Sequence, residues 1–148
     1  MIHRRLLLAG AAGLLAGAAQ AAAATPIEVF KSPYCGCCGG WVAHLQASGF
    51  RVTVHDIEDV SPHRRRLGVP DRYASCHTGS VRGYAVEGHV PASDIRRLLQ
   101  EKPVAAGLAL PGMPLGSPGM EAPGAPPQRF DVLLVSKDGT AKLFQRHG

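Results

Sequence analysis

The sequence predicts a single α/β domain, and three observations carry that reading. A strand–turn–helix–strand pattern spans residues 26–57, a second amphipathic helical stripe follows over residues 91–102, and a hairpin signal lies near residue 138. No internal repeat and no second domain is visible along the 148 residues.

Each element has a local reason. Ile27-Glu28-Val29-Phe30 is strand-like, Trp41, Val42 and Leu45 stand at helical spacing, and Gly49 falls where a helix C-cap belongs. Phe50 to His55 then returns as a strand, which makes a βαβ unit with its turn at the carboxyl end of the first strand. Ser61-Pro62 opens a short helix through Leu67, and Gly68-Val69-Pro70 ends it. A strand is expected from Val81 to Val86. Pro91 suits the first turn of a helix whose stripe is Ile95, Leu98 and Leu99, closed by Lys102-Pro103. From Pro103 to Gln128 the chain turns to Pro, Gly and Met, a 26-residue stretch read as an ordered functional loop. Phe130–Val135 and Ala141–Phe144 flank Lys137-Asp138-Gly139 as a hairpin.

The amino terminus reads differently. Arg4-Arg5 precede a run over residues 6–19 made only of Ala, Gly and Leu, and small residues up to Ala24 offer a cleavage site. Residues 1–24 are therefore expected to be a cleavable export signal peptide, by the twin-arginine or the general secretion route, with the domain over 25–148. The run is too short and too rich in Ala and Gly for a membrane anchor, so no stable membrane insertion is expected after cleavage. Removing the two arginines lowers the formal charge from +5 to +3 and leaves 124 residues, enough for one real core. That mild charge gives no argument for nucleic acid, and the basic run His63-Arg64-Arg65-Arg66 lacks interleaved aromatics, so it is read as a solvated helix face.

Residues 35–38 read Cys-Gly-Cys-Cys and hold three of the four cysteines, in the turn between the first strand and the first helix. Helix N-termini favour thiolate over thiol, and thiolate serves both soft-metal binding and disulfide exchange. In an exported protein four cysteines invite a reading as two disulfides. Cys37 and Cys38 are adjacent and poorly placed to bridge each other, so the feasible bonds are Cys35–Cys38 and Cys37–Cys76. Cys35 and Cys38 form a Cys-x-x-Cys, but a dithiol exchanger needs only an attacking and a resolving thiol. The extra Cys37 suits a cluster of Cu(I) ions, which prefer thiolates and can share a bridging sulfur. Tetrahedral zinc wants two such knuckles, and only one is present.

Cys76, in Ser75-Cys76-His77-Thr78, is a fourth candidate thiolate, and His77 is a candidate ligand or an orienter of one. His89, Met113 and Met120 are further candidates, set against plain structural and packing roles. The loop bearing both methionines is expected to fold over the cysteines, with His77 and His89 bordering the same pocket. His44 is read as a surface residue. No Ser/His/Asp set, nucleotide-binding glycine loop or carboxylate pair supports a hydrolase.

Tyr34-Cys35-Gly36-Cys37-Cys38, Ser75-Cys76-His77-Thr78, Glu87-Gly88-His89-Val90-Pro91 and the segment from Gly112-Met113-Pro114 through Gly119-Met120-Glu121 together resemble the exported CopG-type copper-resistance proteins. The resemblance covers essentially the whole chain after residue 24. It implies a thioredoxin-like fold with a mixed central sheet and a long Pro/Gly-rich loop. It also implies a periplasmic setting and a multinuclear copper centre on Cys35, Cys37, Cys38 and Cys76. The implied role is copper detoxification, with cycling of copper between oxidation states as its enzymatic version and storage or delivery to other periplasmic copper-handling proteins as the non-catalytic ones. The alternative kept beside it is a thiol–disulfide oxidoreductase using Cys35 and Cys38. The hairpin over residues 130–144 is expected to supply the closing strands of the thioredoxin-like core.

Overall fold

The computed structural model describes residues 23–148, so all but the last two residues of the candidate export signal lie outside it. The chain runs β1 (Thr25–Lys31), α1 (Gly36–Ala47), β2 (Phe50–Asp56), α2 (Ser61–Arg66), a 3-10 turn (Asp71–Tyr73), β3 (His77–Val81), β4 (Tyr84–Glu87), α3 (Ala92–Glu101), β5 (Gly107–Ala109), β6 (Phe130–Val135) and β7 (Ala141–His147). The seven strands form one sheet in the order β2-β1-β3-β4-β5-β6-β7. Pairs β1–β2 and β4–β5 are parallel, and the other four are antiparallel. The expected α/β class with a mixed central sheet is what the chain adopts.

Two expectations about strands need correction. The run from Val81 to Val86 is not one strand but the turn of a hairpin, because Arg82 and Gly83 both take positive φ, 46° and 83°, and reverse the chain. β3 starts earlier, at His77, and its Gly79-Ser80 centre is too weak in β propensity to flag it. The hairpin β6–β7 does not close the core around β1. That place belongs to β3–β4, followed by α3, while β5, unforeseen inside the Pro/Gly stretch, carries β6–β7 as an extension of the sheet.

The helices form as their stripes require. On α1 the buried residues are Cys38, Trp41, Val42 and Leu45, an i, i+3, i+4, i+7 face, and Gly49 at φ 82° ends the helix. α3 buries Ile95 and Leu98. Both pack with Ile27, Val29, Val86, Leu108 and Val132 into one core. Trp41 anchors it: fully buried, it donates Nε1–H to the Val90 carbonyl at 2.8 Å, which keeps its polar edge satisfied. The basic run of α2 is not a uniformly solvated face. Arg64 is buried and pairs with Asp71 at 2.8 Å, and the His63 ring stacks on Phe30.

His44 is half-buried rather than a free surface residue. Its Nε2 accepts the Ala92 N–H at 3.1 Å and so caps the first turn of α3, which has no side-chain cap of its own. Burial lowers its pKa below the ordinary 6.5, only partly offset by Glu121. The neutral ring is the form that accepts, and protons bind the unfolded chain first as the pH falls. The stability His44 contributes is therefore present above pH 6.5 and lost progressively as the pH drops through its folded pKa. His44→Gln keeps an acceptor without a titrating ring. Between about pH 7 and pH 5 its urea midpoint should fall less than that of the parent protein. Equal slopes would clear His44 of the effect.

Candidate metal centre

Register brings the four cysteines together. β1 pairs antiparallel with β3 so that Lys31 faces His77, which sets Cys76 just beyond the strand end from which the Cys35–Cys38 turn departs. The four Sγ atoms all lie within 4.8 Å of one another. Cys35 and Cys38 are joined by a disulfide, and Cys37 and Cys76 are free thiols. Of the two bonds that spacing allowed, the structure contains the first only. Cys37 Sγ sits 3.5 Å from Cys35 Sγ and 3.8 Å from Met113 Sδ.

Cys76 is flanked by two imidazoles whose tautomers the backbone selects. His77 Nε2 lies 3.0 Å from the Gly88 carbonyl and His89 Nδ1 lies 2.8 Å from the Pro118 carbonyl. Carbonyls only accept, so these nitrogens carry the protons. The bare nitrogens, His77 Nδ1 at 3.4 Å and His89 Nε2 at 3.2 Å, both face Cys76 Sγ. One S–H can donate to only one of them. Burial, with the neighbouring His89, lowers the His77 pKa to about 3, and burial also lowers that of His89, so both rings are neutral near pH 7.

The expectation that the cluster favours thiolate fails at Cys76. This residue precedes β3 and does not belong to the first turn of α1. Burial first, then the nearby Cys37, pushes its pKa up to about 11. It is a thiol at neutral pH until a cation replaces its proton.

The Pro/Gly loop, residues 110–129, lies across this end of the sheet. Gly119 approaches α1 so closely that a Cβ on it would stand 2.5 Å from the Trp41 nitrogen, and one on Gly40 would stand 2.9 Å from Gly119 Cα. Only glycine fits that crossing. The two methionines separate: Met113 reaches Cys37, whereas no hydrogen-bond-range contact joins Met120 to a cysteine among the described residues, and its backbone closes a turn with Ser117 and Gly116.

Sequence reasoning missed the group that holds this end together. Glu87 is buried, accepting the Ser75 N–H at 2.6 Å and the Thr78 hydroxyl at 2.5 Å, with Arg64 Nη1 at 3.7 Å. Its two contacts bracket Cys76-His77. Ser75 in turn donates its hydroxyl to the Gly112 carbonyl at 2.8 Å, next to Met113. Burial raises the Glu87 pKa, against the pull of Thr78, Ser75 and Arg64. A charged residue ending the apolar strand Tyr84-Ala85-Val86 was the available signal.

The fold and donor set define a small α/β protein with a sulfur-rich, imidazole-bordered cluster at one end of its sheet. The family described as a protein of unknown function, DUF411, matches residues 73–120. Two solved structures described as copper resistance protein CopG, forms 2 and 1, are each 44% identical to the chain and cover 84% of it. The chain covers 99% and 98% of theirs, with TM-scores of 0.79 and 0.78. No curated protein matches the chain. The chain belongs to the CopG copper-resistance family, and that membership together with the cysteine cluster supports a copper-related role.

Proposed function

We propose that this is a periplasmic copper-binding protein of copper resistance, which holds several Cu(I) ions on thiolates of Cys35, Cys37, Cys38 and Cys76. The observation that carries the reading is the convergence of the four sulfurs within 4.8 Å. Thiolates are the ligands Cu(I) prefers, and bridging sulfurs let adjacent cysteines serve different ions. His77 and His89 offer nitrogens with their far N–H groups already committed, and Met113 offers a thioether. Export is supported by the amino-terminal charge and apolar run.

Four thiolates require the Cys35–Cys38 bond to be reduced by two electrons, with two protons lost again as copper binds. The reverse direction supplies the oxidative half of a redox cycle, and an external thiol reductant returns the disulfide to the dithiol. As the S–S bond forms, the two sulfurs give one electron to each of two Cu(II) ions, leaving two Cu(I). Storage and delivery use the same ligands without that step, and following the copper oxidation state by X-ray absorption under turnover separates them.

Copper analysis and thiol titration on anaerobically purified protein test the reading. Several equivalents of copper, with the cysteines masked until it is removed, are expected. Less than one equivalent on fully reduced protein overturns it. Because Cys76 is a thiol up to about pH 11, copper uptake there releases a proton. Affinity should fall as the pH drops, by about tenfold per unit for each proton displaced, and a pH-stat titration counts them.

Met113→Leu is expected to weaken copper retention and shift the metal–thiolate absorption, while Met120→Leu leaves both unchanged. Leucine keeps most of the apolar bulk, so an unaltered Met113 variant means that the residue only packs.

The disulfide at the start of α1 favours one second reading, a thiol–disulfide oxidoreductase in which Cys35 attacks and Cys38 resolves. It requires turnover by copper-free protein in an insulin- or glutathione-linked assay, lost in Cys35→Ser. Activity no higher than that of free thiols removes it.

A further inference from the structure

At the end of the sheet opposite the cysteines, three chain reversals meet. β3 runs away from Cys76 and turns at Arg82-Gly83, α3 ends at Lys102, and β6 ends just before Lys137. Between them lies an open surface cavity of about 330 Å³ whose lining includes Arg82, Tyr84, Lys102, Pro103, Val104 and Lys137. No acidic residue lines it, and none of its three cations forms a salt bridge among the described residues.

Two of those cations stand where the backbone disfavours them. Among the described residues, Arg82 at φ 46° and Lys102 at φ 49° are the only non-glycine residues with positive φ. Elsewhere the chain meets such positions with glycine. Arg82 occupies a hairpin-turn site that favours Asn or Gly, and Lys102 a left-handed helix cap that favours Gly. Folding alone therefore does not account for a cation at either position. That both exceptions line one cavity points to a function there. Three like charges facing one space also repel one another until an anion neutralises them.

From this geometry we propose that the cavity binds a small organic polyanion of the di- or tricarboxylate class. Its volume lies in the range of small-molecule sites and leaves room for a short carbon skeleton, more than a single inorganic oxyanion needs. Tyr84 and Pro103 form a wall fixed by the Tyr84 hydroxyl donating to the Pro103 carbonyl at 2.8 Å. Val104 beside it is 86% exposed and offers apolar contact to the skeleton. The cations, set on three separate segments, receive carboxylates at separate ends. This site does not depend on the copper reading.

Propane-1,2,3-tricarboxylate, titrated into the protein and followed by amide NMR shifts, tests the proposal against inorganic phosphate and chloride at matched ionic strength. Saturating shifts confined to residues 82–84, 102–105 and 137 are expected, with an affinity about tenfold or more above that for phosphate. Arg82→Gly and Lys102→Gly relieve the left-handed backbone, so each variant should keep or raise its thermal midpoint while losing about fivefold or more in affinity. Shifts that merely track ionic strength, phosphate binding as tightly as the tricarboxylate, or undiminished affinity in both glycine variants would each overturn the proposal.

Discussion

Cys37→Ser is expected to lose at least about half of the bound copper and most of the metal–thiolate absorption, because one of the four proposed thiolate ligands is removed. Cys37 Sγ lies 3.5 Å from Cys35 Sγ and 3.8 Å from Met113 Sδ. The same variant keeps Cys35 and Cys38, which are already able to bond to each other. Dithiol exchange should therefore survive while copper binding fails, which separates the two readings of the site in one protein. Measured by copper analysis on reduced protein, an unchanged stoichiometry would sink the four-thiolate cluster.

Glu87→Ala carries the largest expected loss of stability, about 2–5 kcal/mol, because it strips the Ser75 N–H and the Thr78 hydroxyl of their acceptor, while Arg64 keeps its closer partner Asp71. Glu87→Gln retains one acceptor oxygen and should lose less, about 1–3 kcal/mol. Urea unfolding reads both. The consequence reaches the site, since Glu87 pins the residues on either side of Cys76-His77 and, through Ser75, the backbone next to Met113. Copper retention should therefore decline in the same order as stability. A Glu87→Ala protein within about 0.5 kcal/mol of the parent means that the network holds nothing.

Much of the fold was legible because it is written in contiguous residues. The α1 stripe of Trp41, Val42 and Leu45, the Gly49 cap, the Ser61-Pro62 helix start and the 137–139 turn each depend on neighbours within a few positions. β5 and the β3–β4 hairpin were not legible. Their strands are short and contain Gly, Ser and Ala, and β3 and β5 are built on pairing with distant partners rather than on their own preference.

The site divides in the same way. By itself the sequence determined that three cysteines share the turn between a strand and a helix, that Cys76-His77 follows in a second motif and that a glycine-rich loop bears two methionines. Tertiary structure alone decided that these meet. The pairing of Lys31 with His77 carries Cys76 to the cysteine turn, and the crossing of Gly119 over Gly40 lays the loop beside it. It also chose Met113 over Met120, aimed both imidazole lone pairs at one sulfur and raised the Cys76 pKa to about 11. Those outcomes depend on burial and on contacts between segments far apart in the chain, and neither residue type nor local periodicity encodes such contacts.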